Sequence, residues 1–452
     1  MSSQIREAAM TSVFHRSPGA SLPTAIGGQG VWLEASNGRR YLDASGGAAV
    51  SALGHGHPRV VEAIRDQVSK MAFAHTAFFT NEPCEQLAEF LTVRAPIDAP
   101  RVMFCSGGSE ATEAALKLAR AYHVARGEPS RSVFISRDQS YHGATIGALS
   151  VSGNPGRRAP YLDILAPCRF IDPCYAYRHQ HPDETPEAYG RRAANKLEAE
   201  ILAVGPENVA AFIAEPVVGA TLGAVTAAPG YFERVSEICR TYGVLFIADE
   251  VMCGMGRTGS LFAVEQENVR PDIITMAKGL GGGYQPIGAV LASGEVYDAI
   301  VSGPGYFEHG HTYIGHATAC AAALAVQRTI EEERLLEHIV ELHPLLVDIL
   351  HQALGSTGMI GDIRGRGFMI GVELVRDMAT KTPFPPEMKL AAAIKKAAME
   401  QDLIVYPNSG CVDGRSGDHI LIAPPYISER SDLEQIGSRL ARAISTVLAE
   451  AA

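Results

Sequence analysis

Short apolar runs of four to six residues recur through the middle of the chain, separated by longer amphipathic stretches. Arg101 to Cys105, Val133 to Ser136, Val209 to Ala214, Val244 to Ala248 and Ile273 to Ala277 are runs of the first kind and predict strands. Glu110 to Arg126 places Ala114, Leu118 and Tyr122 on one face at helical spacing, and Tyr231 to Tyr242 also reads as a helix. Strands alternating with helices in this way imply an α/β protein, with a mostly parallel central sheet flanked by helices on both faces.

The two ends of the chain read differently. Val31 to Leu42 predicts a hairpin turning at Asn37-Gly38. Beyond Glu331 the pattern is helical to about Leu354, strand-like over Met369 to Leu374, helical over Lys389 to Met399, strand-like over Leu403 to Tyr406, and helical over Ser431 to Leu448. The expected organisation is a large domain over residues 60–330 and a smaller α+β domain built from both termini, residues 1–59 and 331–452.

Composition narrows the partners. With 452 residues the chain is long for one core, and two domains are the soft expectation. A net charge of -11 and no basic cluster argue against nucleic acid or an anionic membrane. The longest apolar stretch, Ala317 to Val326, is mostly alanine and too short to span a bilayer. Met1 to Met10 carries Arg6 and Glu7 and has no signal-like apolar region. Eight cysteines without a C-x-x-C pair suggest neither a disulfide framework nor a zinc site. The cytoplasm is the expected location.

Four chemical features sit at strand ends. Lys278 follows the run ending at Ala277 and precedes Gly279-Leu-Gly-Gly-Gly283, which puts an amine where a ligand can reach it. Burial lowers a lysine from about 10.4 towards neutrality, and a neutral amine forms Schiff bases with aldehydes. Ser106-Gly-Gly-Ser-Glu110 joins a strand to a helix, a setting for an anion, although Ser109 reads equally well as a helix N-cap. Asp249 ends another strand, where ligands of open parallel sheets sit, and serves there either as an ion-pair partner or as a cap. Tyr141, in Tyr141-His-Gly143, offers a ring for stacking. An amine, an anion cradle, a carboxylate and an aromatic face together match pyridoxal phosphate, which has an aldehyde, a phosphate, a ring nitrogen and a flat ring.

Two other patterns compete. Gly254-Met-Gly-Arg-Thr-Gly259 matches G-x-G-x-x-G, but the following strand ends in Lys278 where a dinucleotide site wants an acid. His309, His311 and His316 hint at a metal, yet no Cys or acidic ligand stands close by in sequence, so no metal is expected.

Taken in order, the motifs resemble the class III aminotransferases, the ω-aminotransferase subgroup of fold-type I pyridoxal-phosphate enzymes. The resemblance spans nearly the whole chain and rests on Asp43 to Gly47, Gly54 to Pro58, Ser106 to Ala111, Tyr141 to Gly143, Glu215-Pro216, Asp249 to Val251, Gly256 to Gly259, Lys278-Gly279 and His309 to Tyr313. It implies that Lys278 forms the internal aldimine and shuttles the proton, and that Asp249 pairs with the pyridinium nitrogen. Tyr141 and Val251 would cover the two ring faces, with His142 and Glu215 beside the cofactor. Gly108 and Ser109 would hold the phosphate, joined by Thr312 from a neighbouring subunit, so a homodimer with shared sites is implied, with a tetramer left open. Ala49, Phe78 and Ala220 would line the substrate pocket, and Arg415, in Val412 to Asp418, is the candidate for a substrate carboxylate.

The chain departs from this family where Met252 and Cys253 replace a common Gln and Thr, and Ala49 replaces a bulky aromatic of amine-selective relatives. The implied reaction moves an amino group from an amine or ω-amino acid to a keto acid such as pyruvate, in ping-pong half-reactions. An aminomutase, decarboxylase or epimerase on the same scaffold shares these motifs and stays open.

Overall fold

In the computed structural model, the described residues are 11–451 other than Pro18 and Ala20; the Met1 to Met10 segment lies outside them. Seven strands form the central sheet in the order Arg101–Cys105, Gly288–Ala292, Ile273–Met276, Leu245–Asp249, Val209–Ala214, Val133–Arg137, Cys168–Ile171. Gly288–Ala292 runs antiparallel to both neighbours, and the remaining pairs are parallel. Side-chain alternation explains why the runs are apolar throughout. Phe246 and Ala248 enter one buried cluster, while Leu245 and Ile247 enter another on the opposite face. Helix Gly108–Ala125 packs Ala111, Ala114, Ala115 and Leu118 into the second cluster. A sheet covered on both faces leaves its strand ends as the place where polar groups meet a ligand.

A third cluster unites the two ends of the chain: Val31, Leu42, Leu53, Leu346, Ile394 and Leu440 are among its buried members. Leu403–Ile404 pairs in parallel with Leu42–Asp43, so the N-terminal hairpin and a C-terminal segment share one four-stranded sheet. Ile360–Arg366, Met369–Leu374, Asp418–Ile422 and Tyr406–Ser409 make a separate antiparallel sheet.

Most expected elements occur within a residue or two of their sequence limits, and three differ in an instructive way. The helix expected beyond Glu331 starts only at Leu335 and runs to Leu354, separated from the preceding helix Ala317–Glu332 by Arg334 with its left-handed φ of 55°. The strand expected over Leu403 to Tyr406 splits between two sheets, because Leu403–Ile404 pairs with one and Tyr406–Ser409 with the other. Ser109 is not an N-cap. The helix begins at Gly108 with Gly107 before it, and the Ser109 hydroxyl instead accepts from the Ala144 N–H at 3.0 Å. Among the described residues no helix is long and apolar enough to cross a membrane.

Candidate active site

Neighbouring strands deliver the first two groups. Leu245–Asp249 and Ile273–Met276 are adjacent and parallel, so Asp249 and the Lys278 segment emerge at the same sheet edge. Lys278 lies just past its strand and takes a left-handed φ of 46°, an uncommon conformation for a residue with a β-carbon and one that re-aims its side chain. Its stem lies in a cavity lined by Gly108, Ser109, Tyr141, Glu215, Asp249 and Val251. Burial pulls the Lys278 amine below its ordinary value, while the Asp249 and Glu215 carboxylates oppose the shift.

Asp249 is held from three sides. Oδ1 accepts from the Val251 N–H at 3.0 Å and the Thr275 hydroxyl at 3.2 Å, and Oδ2 lies 2.5 Å from His142 Nδ1. The bond to Val251 is local, as in a capping turn, so the carboxylate serves backbone and site at once. His142 is itself anchored. Its other ring nitrogen meets Ser136 Oγ at 3.2 Å, its N–H donates to Ser152 Oγ at 2.8 Å, and its carbonyl accepts from Thr112 at 2.8 Å. Such second contacts fix a ring's orientation and through it the carboxylate.

Glu215 ends the neighbouring strand region and is buried; burial raises its carboxyl above the usual range, with His142 and Arg137 opposing. Oε1 accepts from the Tyr141 N–H at 3.4 Å, whereas Oε2 is buried without a hydrogen-bond partner, 3.6 Å from the Arg137 guanidinium. An unsatisfied buried carboxylate oxygen beside a cavity is a place where a ligand group gains a bond. The Tyr141 ring lines the cavity, with the Arg157 guanidinium over it at 4.4 Å from the ring centre.

The fourth wall is built for close approach. A β-carbon on Gly108 would stand 2.7 Å from Val251 Cγ1, and one on Gly143 would meet Ser109 Oγ at 2.7 Å. Gly219 likewise makes room for the Met252 sulfur, which a β-carbon would meet at 2.3 Å. Glycine at 108 thus opens a cradle at the start of an eighteen-residue helix, where backbone N–H groups lack helical partners and attract an anion. An amine, a fixed carboxylate, an aromatic ring and an anion cradle around one cavity fit the functional groups of pyridoxal phosphate.

Nine residues singled out from the sequence line this cavity: Lys278, Asp249, Tyr141, Gly108, Ser109, His142, Glu215, Val251 and Ala220. Four others do not. Ala49 is buried elsewhere with a φ of 60°, Phe78 is 79% exposed, and Thr312 is exposed in the 308–315 segment. Arg415 is exposed and reaches Glu387 at 3.6 Å. Met252, Gly143 and Gly219 complete the lining. The His142 contact to Asp249 and the Arg157 contact to Tyr141 carried no sequence signal, since each joins segments brought together only by the fold. His309 and His311 are edge-on neighbours at 5.0 Å, and His316 packs on Phe73.

Comparison with known proteins gives the chain's family. The family model "Aminotransferase class-III" matches residues 20–444. An uncharacterized aminotransferase of Schizosaccharomyces pombe is 43% identical over 438 residues, covering 97% of this chain and 95% of that protein. A chloroplastic gamma aminobutyrate transaminase of Solanum lycopersicum is 37% identical over 92% of this chain and 79% of its own. The omega transaminase of Pseudomonas jessenii, solved in complex with PMP, superposes with a TM-score of 0.89 at 34% identity, covering 95% of this chain and 93% of that one. The chain therefore belongs to the class III aminotransferases, pyridoxal-phosphate-dependent transferases of fold type I.

Proposed function

We propose that this cavity binds pyridoxal 5'-phosphate and that the protein moves an amino group from an amine or ω-amino acid to a keto acid such as pyruvate, in two alternating half-reactions. The observation that carries the reading is a lysine of lowered pKa sharing a cavity with a carboxylate fixed by three contacts. The relatives' names, a gamma aminobutyrate transaminase and an omega transaminase, support the substrate class.

In this reading the cofactor, when bound, supplies an aldehyde and an electron-withdrawing ring. Lys278 would be its point of attachment, and the free Nζ would be the base for the proton on the substrate carbon that bears the amine. Its lowered pKa favours the neutral amine that can accept this proton. Asp249 faces the ring nitrogen, and its contacts keep the carboxylate from rotating away. Tyr141 and Val251 cover the ring faces. Gly108 and Ser109 receive the phosphate, while His142 and Glu215 border the cofactor. Ala220 lies on the substrate side.

Residues 60–330 form the cofactor-binding domain in this proposal, with residues 1–59 and 331–452 as the smaller one. Phe78 and Thr312 act in the site of a second subunit. Phe78, Phe79 and Tyr313 are exposed, and their segments meet where Phe73 packs edge-on against Tyr313, an apolar surface suited to that contact. Light scattering of the purified protein should therefore give twice the chain mass, and the protein should fractionate with the cytoplasm.

Candidate amines mixed with the loaded enzyme should discharge the cofactor's aldehyde absorbance and release one carbonyl product per site without carbon dioxide. Borohydride reduction followed by peptide mapping should place a pyridoxyl group on Lys278. Release of carbon dioxide, or an isomerised amine in place of the carbonyl product, would instead identify a decarboxylase, mutase or epimerase.

A further inference from the structure

We infer that Arg157 is the specificity-determining residue that receives a substrate carboxylate at this site. The inference rests on the transaminase reading and names the substrate chemistry it selects.

The walls of the cavity carry two carboxylates, Asp249 and Glu215. A substrate bringing a third needs a cation that is free to pair. Lys278 is reserved for the chemistry. Arg137 is buried behind Glu215 and donates to its carbonyl at 2.6 Å. Arg158 is committed to three carbonyls, those of Leu149, Ser150 and Ser152, at 3.1, 2.6 and 3.0 Å. Arg415 turns towards Glu387, and its backbone is held in a tight turn by Asp413 at 2.8 Å.

Arg157 differs from all of these. Its guanidinium lies over the Tyr141 ring and, among the described residues, makes no ion pair and no side-chain hydrogen bond. The backbone beneath it is fixed. Asn154 caps the Pro155–Arg158 turn by accepting from the Arg157 N–H at 3.1 Å, and Pro155 packs against the backbone of Gly414. The base is rigid while the planar fork of donors is open, which suits bidentate capture of a carboxylate. Its charge also reaches the site: it adds to the downward shift of Lys278, after burial. The carboxylate could belong to an ω-amino acid donor or to the keto acid acceptor, and both half-reactions are open to measurement.

The test compares the wild-type holoenzyme with Arg157→Gln, Arg157→Lys and Arg415→Gln. Second-order rate constants are measured separately for 4-aminobutyrate against butylamine and for pyruvate against propanal. Losing a charge-assisted pair should lower the carboxylate-to-neutral ratio about tenfold or more in Arg157→Gln. The lysine variant should recover part of that ratio, and Arg415→Gln should change it by less than about twofold. Whichever substrate pair loses selectivity identifies the carboxylate's source. Butyrate binding, measured by calorimetry on the holoenzyme, should weaken in parallel, and this readout needs no turnover. An equal loss for charged and neutral substrates would reduce Arg157 to a support for Tyr141 and overturn the inference. So would an unchanged ratio, selectivity lost through Arg415, or wild-type protein that binds no butyrate. A wild type that transfers no amino group from any donor would sink the transaminase reading instead, leaving the butyrate result to judge Arg157.

Discussion

Gly108→Ala adds one methyl group at the start of the helix that opens the cradle. That methyl carbon would stand 2.7 Å from Val251 Cγ1 and 3.2 Å from Cγ2. Valine has little freedom at χ1, and the Val251 backbone is tied to Asp249 Oδ1 at 3.0 Å, so relief must come from displacing the first helical turn. Overpacking of this kind costs about 1–3 kcal/mol. Alanine recovers up to about 1 kcal/mol of helix propensity over glycine, so the cofactor-free protein should lose little stability. Cofactor affinity takes the larger share, because the displaced turn carries the Gly108 and Ser109 N–H groups. A loss of about 1.4 kcal/mol is tenfold in Kd, readable by absorbance titration of the cofactor-free protein. Val251→Ala removes both offending carbons, and in the Gly108→Ala background it should return Kd to within about threefold of Val251→Ala alone. Wild-type affinity in Gly108→Ala, or failure of Val251→Ala to rescue it, would refute the steric argument.

Three further outcomes are expected. Lys278→Ala should abolish turnover yet leave the cofactor-free protein at least as stable, since it removes a buried amine; in the wild type, cofactor attachment should accelerate with rising pH at a midpoint below the ordinary lysine value of 10.5, and a midpoint at that value would contradict the burial argument. Glu373→Ala should destabilise by about 3–5 kcal/mol in urea melts, because the buried Glu373 carboxylate accepts from Arg178 at 2.8 Å and Arg364 at 2.6 Å, and its loss leaves Arg178 without its ion pair and Arg364 with Asp362 alone. His419 is pushed down to about 4 by burial and by Arg364, so between that value and the unfolded 6.5 the unfolded chain binds more protons and stability falls with falling pH. From pH 7 to pH 5 the wild type should lose about 2 kcal/mol more than His419→Gln, and equal losses would remove the histidine from the account.

Local pattern and local chemistry made much of the site legible. A strand followed by Lys278, a second ending at Asp249, and glycines opening a helix at Gly108 are contiguous signals, and their common edge follows from parallel strand order. Contacts between distant segments were not legible. Nothing adjacent to His142 announces that its ring meets Asp249, and nothing adjacent to Arg157 distinguishes it from Arg158. Their sequence setting is the same, yet one guanidinium turns its Nη1 to three carbonyls and the other lies over a ring. The misread boundaries have the same origin. Arg334 breaks a helical pattern through its backbone conformation alone, and Leu403 and Tyr406 part company because different sheets claim them.

The cavity wall at Ala220 shows how far such remote claims reach. Ala220 lines the cavity, but its segment is set by the C-terminal antiparallel sheet. His419 is buried and neutral at ordinary pH, and the Ala220 carbonyl 3.0 Å away only accepts, so Nε2 must carry the proton it donates. Arg364 donates to the Gly223 carbonyl at 2.9 Å and also to that of Leu222. Gly371 lets the two backbones touch, since a β-carbon there would stand 2.0 Å from the Gly223 oxygen. One sheet thus fixes a loop on another part of the fold through a ring, a guanidinium and a missing side chain. Substitutions at 364, 371 and 419 should therefore alter amine selectivity without touching the cofactor's own contacts, and substrate panels of such variants should shift while their cofactor affinity holds.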